Sequence, residues 1–167
     1  PLSRVRQLLR APIGWQGSHT FTLELDGKPV LGHNKLRSEI DVQVRVLEAP
    51  LAFPSLDPEA GAKGPRRLQL TIAGAAHLPK MDALLGSCDP YVLMAFEGAE
   101  YRTETRKNTY TPKWDEAFTI DVMDVSDGLE HDVVFTVMDW DAATEDDEVG
   151  SFTVSKERMS ECLRALK

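Results

Sequence analysis

The chain of 167 residues is long enough to bury a core, and its 42% apolar and 28% charged content is that of a globular protein, which excludes a disordered chain. No run of about eighteen apolar residues occurs and the N-terminus lacks a secretory signal, so the sequence predicts a soluble protein. Cys88 and Cys162 lie far apart without metal-ligand spacing, which fits a reducing compartment.

The formal net charge of −8 is unevenly spread. Residues 1–65 hold eight Lys or Arg against seven Asp or Glu, whereas residues 66–167 hold eleven against twenty. A nucleic-acid binder needs a basic stripe to neutralise phosphates, and the acidic second part has none. The charge pattern therefore excludes DNA and RNA as partners.

The first 48 residues predict a short amphipathic helix followed by two strands. Apolar residues recur at helical spacing at Leu2, Val5, Leu8 and Leu9, and the pattern ends before Pro12. Residues 20–25 and 40–47 alternate as strands, with a predicted turn at 26–29. Residues 49–65 contain four prolines, two glycines and no periodicity, so they predict an exposed linker.

From residue 66 onwards the sequence is a series of short β-rich runs separated by turn-forming clusters. These runs cover residues 68–72, 91–96, 101–105, 117–120, 133–138 and 149–154. A closing helix is predicted after Ser155, with one apolar face formed by Met159, Cys162, Leu163 and Leu166. Regular strand spacing without intervening helices predicts an antiparallel β-sandwich.

Two loops between predicted strands are rich in carboxylates. They span residues 78–91 and 138–150. Carboxylates this dense repel one another unless a cation lies between them, and calcium accepts oxygen ligands in forgiving geometry. Asp139 and Asp141, one residue apart on an extended chain, point the same way and can share an ion, while Asp147 lies across the loop. The alternative is that such acidic loops are simply solvated surface.

Four motifs in order carry a family resemblance. They are LQLTI to LPKMD at 68–82, SCDPYV at 87–92, TPKWDEAF at 111–118, and DWD to VG at 139–150. These motifs, in this order, resemble those of C2 domains of the synaptotagmin and protein kinase C kind, over residues 66 to about 154. The resemblance implies an all-β fold, an antiparallel eight-stranded C2-type β-sandwich with short helices and an N-terminal extension.

The resemblance also implies a calcium site. In that family, five aspartates, two from the first loop and three from the third, bind two or more Ca²⁺ ions. Residues 78–91 here correspond to the first loop and residues 138–150 to the third, and the matching positions are all aspartate: Asp82, Asp89, Asp139, Asp141 and Asp147. The backbone carbonyls of Met81 and Trp140 would complete the ligand shells, with Thr144 as a peripheral ligand. The spacing from Asp82 to Asp89 is one residue longer than the family's commonest spacing.

Two departures concern lipid binding. Ala142 and Glu145 stand where lipid-binding relatives often carry basic residues. Glu104 interrupts the run that is lysine-rich in phosphoinositide-binding relatives, so we interpret residues 101–107 as a mixed, solvated strand. Leu84 and Leu85 in the first loop either tuck inward or enter the lipid interface.

The expected function is calcium-dependent binding of anionic phospholipid by a cytoplasmic protein that becomes peripheral to the membrane when calcium binds. The sequence has no Gly-x-Ser-x-Gly elbow and no His-Glu-x-x-His motif, so no enzyme is predicted. The alternative function is a C2-type scaffold that binds other protein domains, with structural calcium or none. A third class is a calcium-regulated enzyme whose catalytic domain lies outside this sequence.

The predicted organisation has three parts: residues 1–48 as the tail of a preceding C2-like domain or a sheet-completing segment, 49–65 as a linker, and 66–167 as a C2 domain cut before its last strand. If residues 20–25 fill the gap left by that strand, they pair with a strand of the second part. Pairing with residues 40–47 only would favour the tail interpretation.

Overall fold

The computed structural model describes residues 16–48, 66–81, 88–122 and 129–159, which form ten strands and a turn of helix at 156–159. The strands are β1 (Gln16–Thr22), β2 (Glu24–Leu25), β3 (Lys28–Pro29), β4 (Glu39–Glu48), β5 (Arg66–Ala76), β6 (Pro90–Phe96), β7 (Ala99–Arg102), β8 (Lys113–Val122), β9 (Val133–Asp139) and β10 (Asp147–Val154). Eight of these ten have four residues or more.

The strands form two antiparallel sheets that pack as a sandwich. One sheet has the order β1-β4-β5-β8, and the other has the order β3-β2-β10-β9-β6-β7. All the strand pairs within these sheets are antiparallel. The predicted all-β antiparallel sandwich is therefore confirmed.

Each of the six predicted runs of the second part overlaps a strand, with shifted ends. The run 101–105 overlaps its strand least, because β7 already ends at Arg102. Thr103 leaves the regular ladder: its Oγ1 accepts a hydrogen bond from Val92 N at 2.9 Å, while Thr103 N donates to Val92 O at 3.0 Å. A side-chain oxygen thus replaces a backbone acceptor, which a propensity pattern does not reveal.

The core lies between the sheets and follows the period of two expected for half-buried strands. In β9, Val133, Phe135 and Val137 are buried on alternate positions. Phe135 stacks on Phe152 of β10, with ring centroids 4.5 Å apart. Trp114 is buried and donates its Nε1 hydrogen to Glu104 O at 2.9 Å.

The N-terminal segment 16–48 contributes to both sheets. β4 pairs with β5 from Glu39↔Ala76 to Glu48↔Arg66, and β1 pairs with β4. β2 pairs with β10 at Glu24↔Ser151, so residues 20–25 do reach a strand of the second part. Ile40 and Val42 are buried in the same core cluster as the β5 side chains. The segment therefore shares the sandwich with residues 66–159.

The two predicted helices have different outcomes. The helix around residues 2–9 and the linker 49–65 lie outside the described residues. The closing helix is described over 156–159, where Met159 N donates to Ser155 O at 3.0 Å and the Met159 side chain is buried. The predicted turn is found at Asp26 and Gly27, which both have positive φ, as a tight two-residue hairpin turn requires.

Candidate functional site

Strand register brings three of the predicted aspartates to one end of the six-stranded sheet. Asp139 is the last residue of β9, and its register partners are Pro90 on one side and Asp147 on the other. Asp89 directly precedes Pro90. The alternation of β9 places Asp139 on the inner face, where its exposed fraction is only 3%. The buried Asp139 carboxylate thus lies next to the core at this end of the sandwich.

Hydrogen bonds join the first and third acidic loops at this position. Asp89 N donates to Asp139 Oδ1 at 2.5 Å, and Trp140 N donates to Asp89 O at 3.1 Å. A hydrogen bond to the charged form favours the ionised carboxylate, which offsets part of the cost of burying Asp139. One backbone donor from each loop, Asp89 N and Trp140 N, therefore holds the two loops against each other.

The Asp89 carboxylate faces a lysine. Lys107 Nζ donates to Asp89 Oδ2 at 3.0 Å, and Asn108 N donates to Asp89 Oδ1 at 2.6 Å. The same ammonium lies 3.1 Å from the centroid of the Trp140 ring, as a cation–π contact. The Lys107 side chain is 55% exposed, so the ion pair contributes roughly 0.2–1 kcal/mol. A positive charge of the chain itself thus neighbours the predicted ligand.

A second carboxylate network lies within the third loop. Asp141 N donates to Asp146 Oδ1 at 3.0 Å, and the Tyr91 hydroxyl donates to Asp146 Oδ2 at 2.7 Å. The hydrogen bond from Asp141 N, followed by that from Tyr91, lowers the pKa of Asp146. Burial, followed by the contact with Asp146, raises the pKa of Tyr91. The Arg102 guanidinium lies 3.9 Å from the centroid of the Tyr91 ring.

Replacing Tyr91 with phenylalanine should raise the pKa of Asp146, because it removes one of the two donors that stabilise the carboxylate. A carboxyl whose pKa is lowered by folding contributes stability above its unfolded value, and that contribution is lost as the pH falls through the folded pKa. In Tyr91→Phe, Asp146 should therefore contribute less to the free energy of unfolding that is lost as the pH falls. Carbon-detected NMR titration in calcium-free buffer measures this pKa, and an unchanged Asp146 value would contradict the hydrogen bond.

The described residues place only part of the predicted site. Asp82, Leu84 and Leu85 lie outside them. Met81 is half-buried against the core, Asp147 is exposed, and Trp140 is half-buried. Within residues 16–48, 66–81, 88–122 and 129–159, no three His, Cys, Asp or Glu side chains come together as a metal-binding group.

Two residues of this end were not singled out by the sequence. Asp146 lies in the run Glu145 to Glu148, where spacing does not distinguish one carboxylate from the next. Lys107 belongs to the mixed run 101–107, and its contacts with Asp89 and Trp140 span 18 and 33 positions of sequence. No local signal could have found either contact.

The two packed antiparallel sheets define the chain as a β-sandwich protein. A family model described as C2 domain matches residues 66–164, which is more than half of the chain. The chain therefore belongs to the C2 domain family.

Known proteins match this chain over about half its length. A C2 and GRAM domain-containing protein of Arabidopsis thaliana is 39% identical over 89 residues, which are 53% of this chain and 8% of that protein. Synaptotagmin 1 of Drosophila melanogaster is 29% identical over 90 residues, or 52% of this chain and 19% of that protein. The chain thus spans less than a fifth of the length of these relatives.

Solved structures also match part of the chain. The crystal structure of a RIM C2 domain from Drosophila has a TM-score of 0.49 and 19% sequence identity, over 55% of this chain and 75% of that one. The family assignment rests on the family model. Among the residues that the structure describes, no helix has the length and apolar character needed to cross a membrane.

Proposed function

We propose that the chain is a calcium-dependent module that binds anionic phospholipid membranes through the loops at the Asp139 end. The observation that supports this most is the register that places Asp139, nearly fully buried, between Asp147 and the segment Asp89–Pro90. Buried charges need a compensating charge or hydrogen bonds, and neighbouring carboxylates raise that need. A divalent cation would satisfy it.

The donor set of this end fits calcium, because carboxylate and carbonyl oxygens are the hard ligands that calcium prefers. The proposed ligands are the carboxylates of Asp82, Asp89, Asp139, Asp141 and Asp147 and the carbonyls of Met81 and Trp140. Bound calcium would supply positive charge at a strongly acidic end. Lys107 already provides one such charge at Asp89 Oδ2, so a metal ion at Asp89 competes with this ammonium.

The membrane is the proposed partner because C2 domains of the synaptotagmin group generally bind lipid membranes. Without added positive charge, the acidic loop end repels an anionic leaflet, and charge reversal there turns repulsion into attraction. Leu84 and Leu85 are proposed to enter the lipid interface beside the calcium ligands. The protein would then be cytoplasmic and peripheral to the membrane, and it would bind lipid without catalysing a reaction.

Co-sedimentation with phosphatidylcholine vesicles that contain phosphatidylserine should show binding in calcium and much weaker binding in chelator. The physical reason is that charge at the loop end changes sign only when calcium is present. Vesicles of phosphatidylcholine without phosphatidylserine are the control and should bind far less protein. Equal binding in calcium and chelator would contradict the calcium dependence.

A second candidate is a scaffold that binds other protein domains with structural calcium or none. It is favoured by the Lys107–Asp89 ion pair, which already neutralises one predicted ligand. Calcium that binds only the folded state must raise its melting temperature. The absence of vesicle binding in both conditions would support the scaffold, and identical melting curves in calcium and in chelator would then indicate its form without calcium.

A further inference from the structure

The exposed large hydrophobic side chains of the described residues all lie in one short stretch of the N-terminal segment. They are Leu25, Leu31 and Leu36, with exposed fractions of 41%, 57% and 52%. Leu31 and Leu36 belong to a narrow loop between β3 and β4, residues 31–37, which we call the 31–37 loop. A bridge pairs Leu31 with Arg37, and Gly32 N donates to Leu36 O at 2.8 Å.

The 31–37 loop lies at the same end of the sandwich as the acidic loops. His33 N donates to Leu78 O at 3.3 Å, and Asn34 Nδ2 donates to His77 Nδ1 at 3.0 Å. Leu78 N in turn donates to Tyr110 O at 3.0 Å. His77 and Leu78 thus join the 31–37 loop to the start of the first acidic loop.

The loop is firmly attached. A Cβ at Gly32 would overlap His77 O, so the backbones approach so closely that only glycine fits. Ser38 Oγ donates to the same oxygen at 2.6 Å, and the His33 ring stacks on Tyr110 with centroids 4.2 Å apart. The exposed leucines therefore project from a fixed support.

The charge of the loop differs from that of its surroundings. Residues 31–37 include Lys35 and Arg37, both exposed, and contain no Asp or Glu. We propose that the 31–37 loop is a membrane contact of its own, in which Leu31 and Leu36 enter the interface of an anionic bilayer while Lys35 and Arg37 meet its phosphates. This proposal rests on the proposed function, in which the end of the sandwich with the acidic loops faces the membrane.

The chemistry of the loop favours lipid over a protein partner. Lysine is depleted and arginine enriched in protein–protein interfaces, so the basic pair alone does not separate the two kinds of partner. The combination of two basic and two exposed apolar side chains, without any carboxylate, is typical of segments that bind anionic membranes. Each Lys or Arg near an anionic surface strengthens binding on the order of fivefold. Leucines that are half exposed have apolar area left to bury, which adds to the attraction.

The test compares vesicle binding of three variants of the full 167-residue chain. Lys35→Gln/Arg37→Gln should weaken binding to phosphatidylcholine–phosphatidylserine vesicles by about tenfold or more, and Leu31→Asn/Leu36→Asn should weaken it by about tenfold. The matched control, Arg45→Gln/Lys156→Gln, removes the same charge from exposed positions elsewhere and should bind like the wild type. Calcium titration in the absence of lipid should be unchanged in both loop variants.

Vesicle binding is measured both in calcium and in chelator, and the two conditions distinguish a failure of this proposal from a failure of the proposed function. If the wild type binds equally in both arms and the loop variants weaken both, the loop is supported although the calcium dependence fails. If the wild type needs calcium and the loop variants match it, the loop proposal is overturned. It is also overturned if the wild type binds no vesicles, or if gel filtration shows self-association that Leu31→Asn/Leu36→Asn abolishes, because the leucines would then cover a second copy.

Discussion

Replacing both Asp139 and Asp141 with asparagine should abolish calcium binding. Isothermal titration should show two or more calcium ions bound per chain in the wild type and none in the double variant. The substitution removes two negative charges from the third loop, one of them at a buried position. A calcium site depends on the number of charged oxygens, so the loss of two carboxylates is a large effect. The amide introduced by Asp139→Asn retains a carbonyl oxygen that can accept the hydrogen bond from Asp89 N.

The fold should survive this double substitution, because an uncharged side chain at position 139 is cheaper to bury than a carboxylate. Asp26→Asn/Asp121→Asn is the matched control, since it removes the same charge from two exposed positions elsewhere. The control should bind calcium like the wild type. Unchanged calcium binding in Asp139→Asn/Asp141→Asn, with a normal melting transition in chelator, would defeat the ligand assignment.

The strands of the second part could be predicted because β-rich runs of ordinary strand length alternate with turn-forming clusters. Which side chains face the core could not be read from the run 133–138, because it is apolar at every position except Thr136; in the structure, β9 buries Val133, Phe135 and Val137. Asp139 follows the same alternation at the end of β9 and is buried, which only the structure reveals. The family motifs then supplied the candidate ligands that spacing does not reveal.

The remaining features depend on contacts between distant residues. The 31–37 loop is attached through the contacts of His33 and Asn34 with His77 and Leu78, more than forty positions away. The Lys107–Asp89 pair and the Thr103–Val92 pair also join separate segments. A local pattern contains no information on such partners, so the exposed leucines and the lysine at the site emerge only from the assembled sandwich.

The N-terminal segment has two alternative roles on sequence grounds, a domain tail or a sheet-completing segment. The sequence contains two alternating runs in this segment but no signal for their partners. We propose that residues 1–48 complete the C2 sandwich of residues 66–167, with 49–65 as the linker that joins them. The support for this proposal is the pairing of β4 with β5 and of Glu24 with Ser151.

Ile40→Ala should therefore destabilise the whole protein by roughly 2–5 kcal/mol, as for a large buried side chain in any core. The Ile40 side chain is fully buried and belongs to the same core cluster as Leu68 and Phe135. If residues 16–48 and 66–159 fold as one unit, chemical denaturation should show a single transition that shifts as a whole. Tryptophan fluorescence follows it in a Trp15→Phe background, because the two remaining tryptophans, Trp114 and Trp140, both lie in the second part.

Arg45→Ala is the control in the same strand, because Arg45 is exposed and its truncation should change the free energy of unfolding by no more than about 0.5 kcal/mol. Phe135→Ala should shift the same single transition, by about 3–5 kcal/mol. A domain tail predicts the opposite for Ile40→Ala: the transition reported by Trp114 and Trp140 would stay in place, because the second part would fold without β4. The Ile40 result thus decides whether the buried row of β4 belongs to the same cooperative core as β5 and β9.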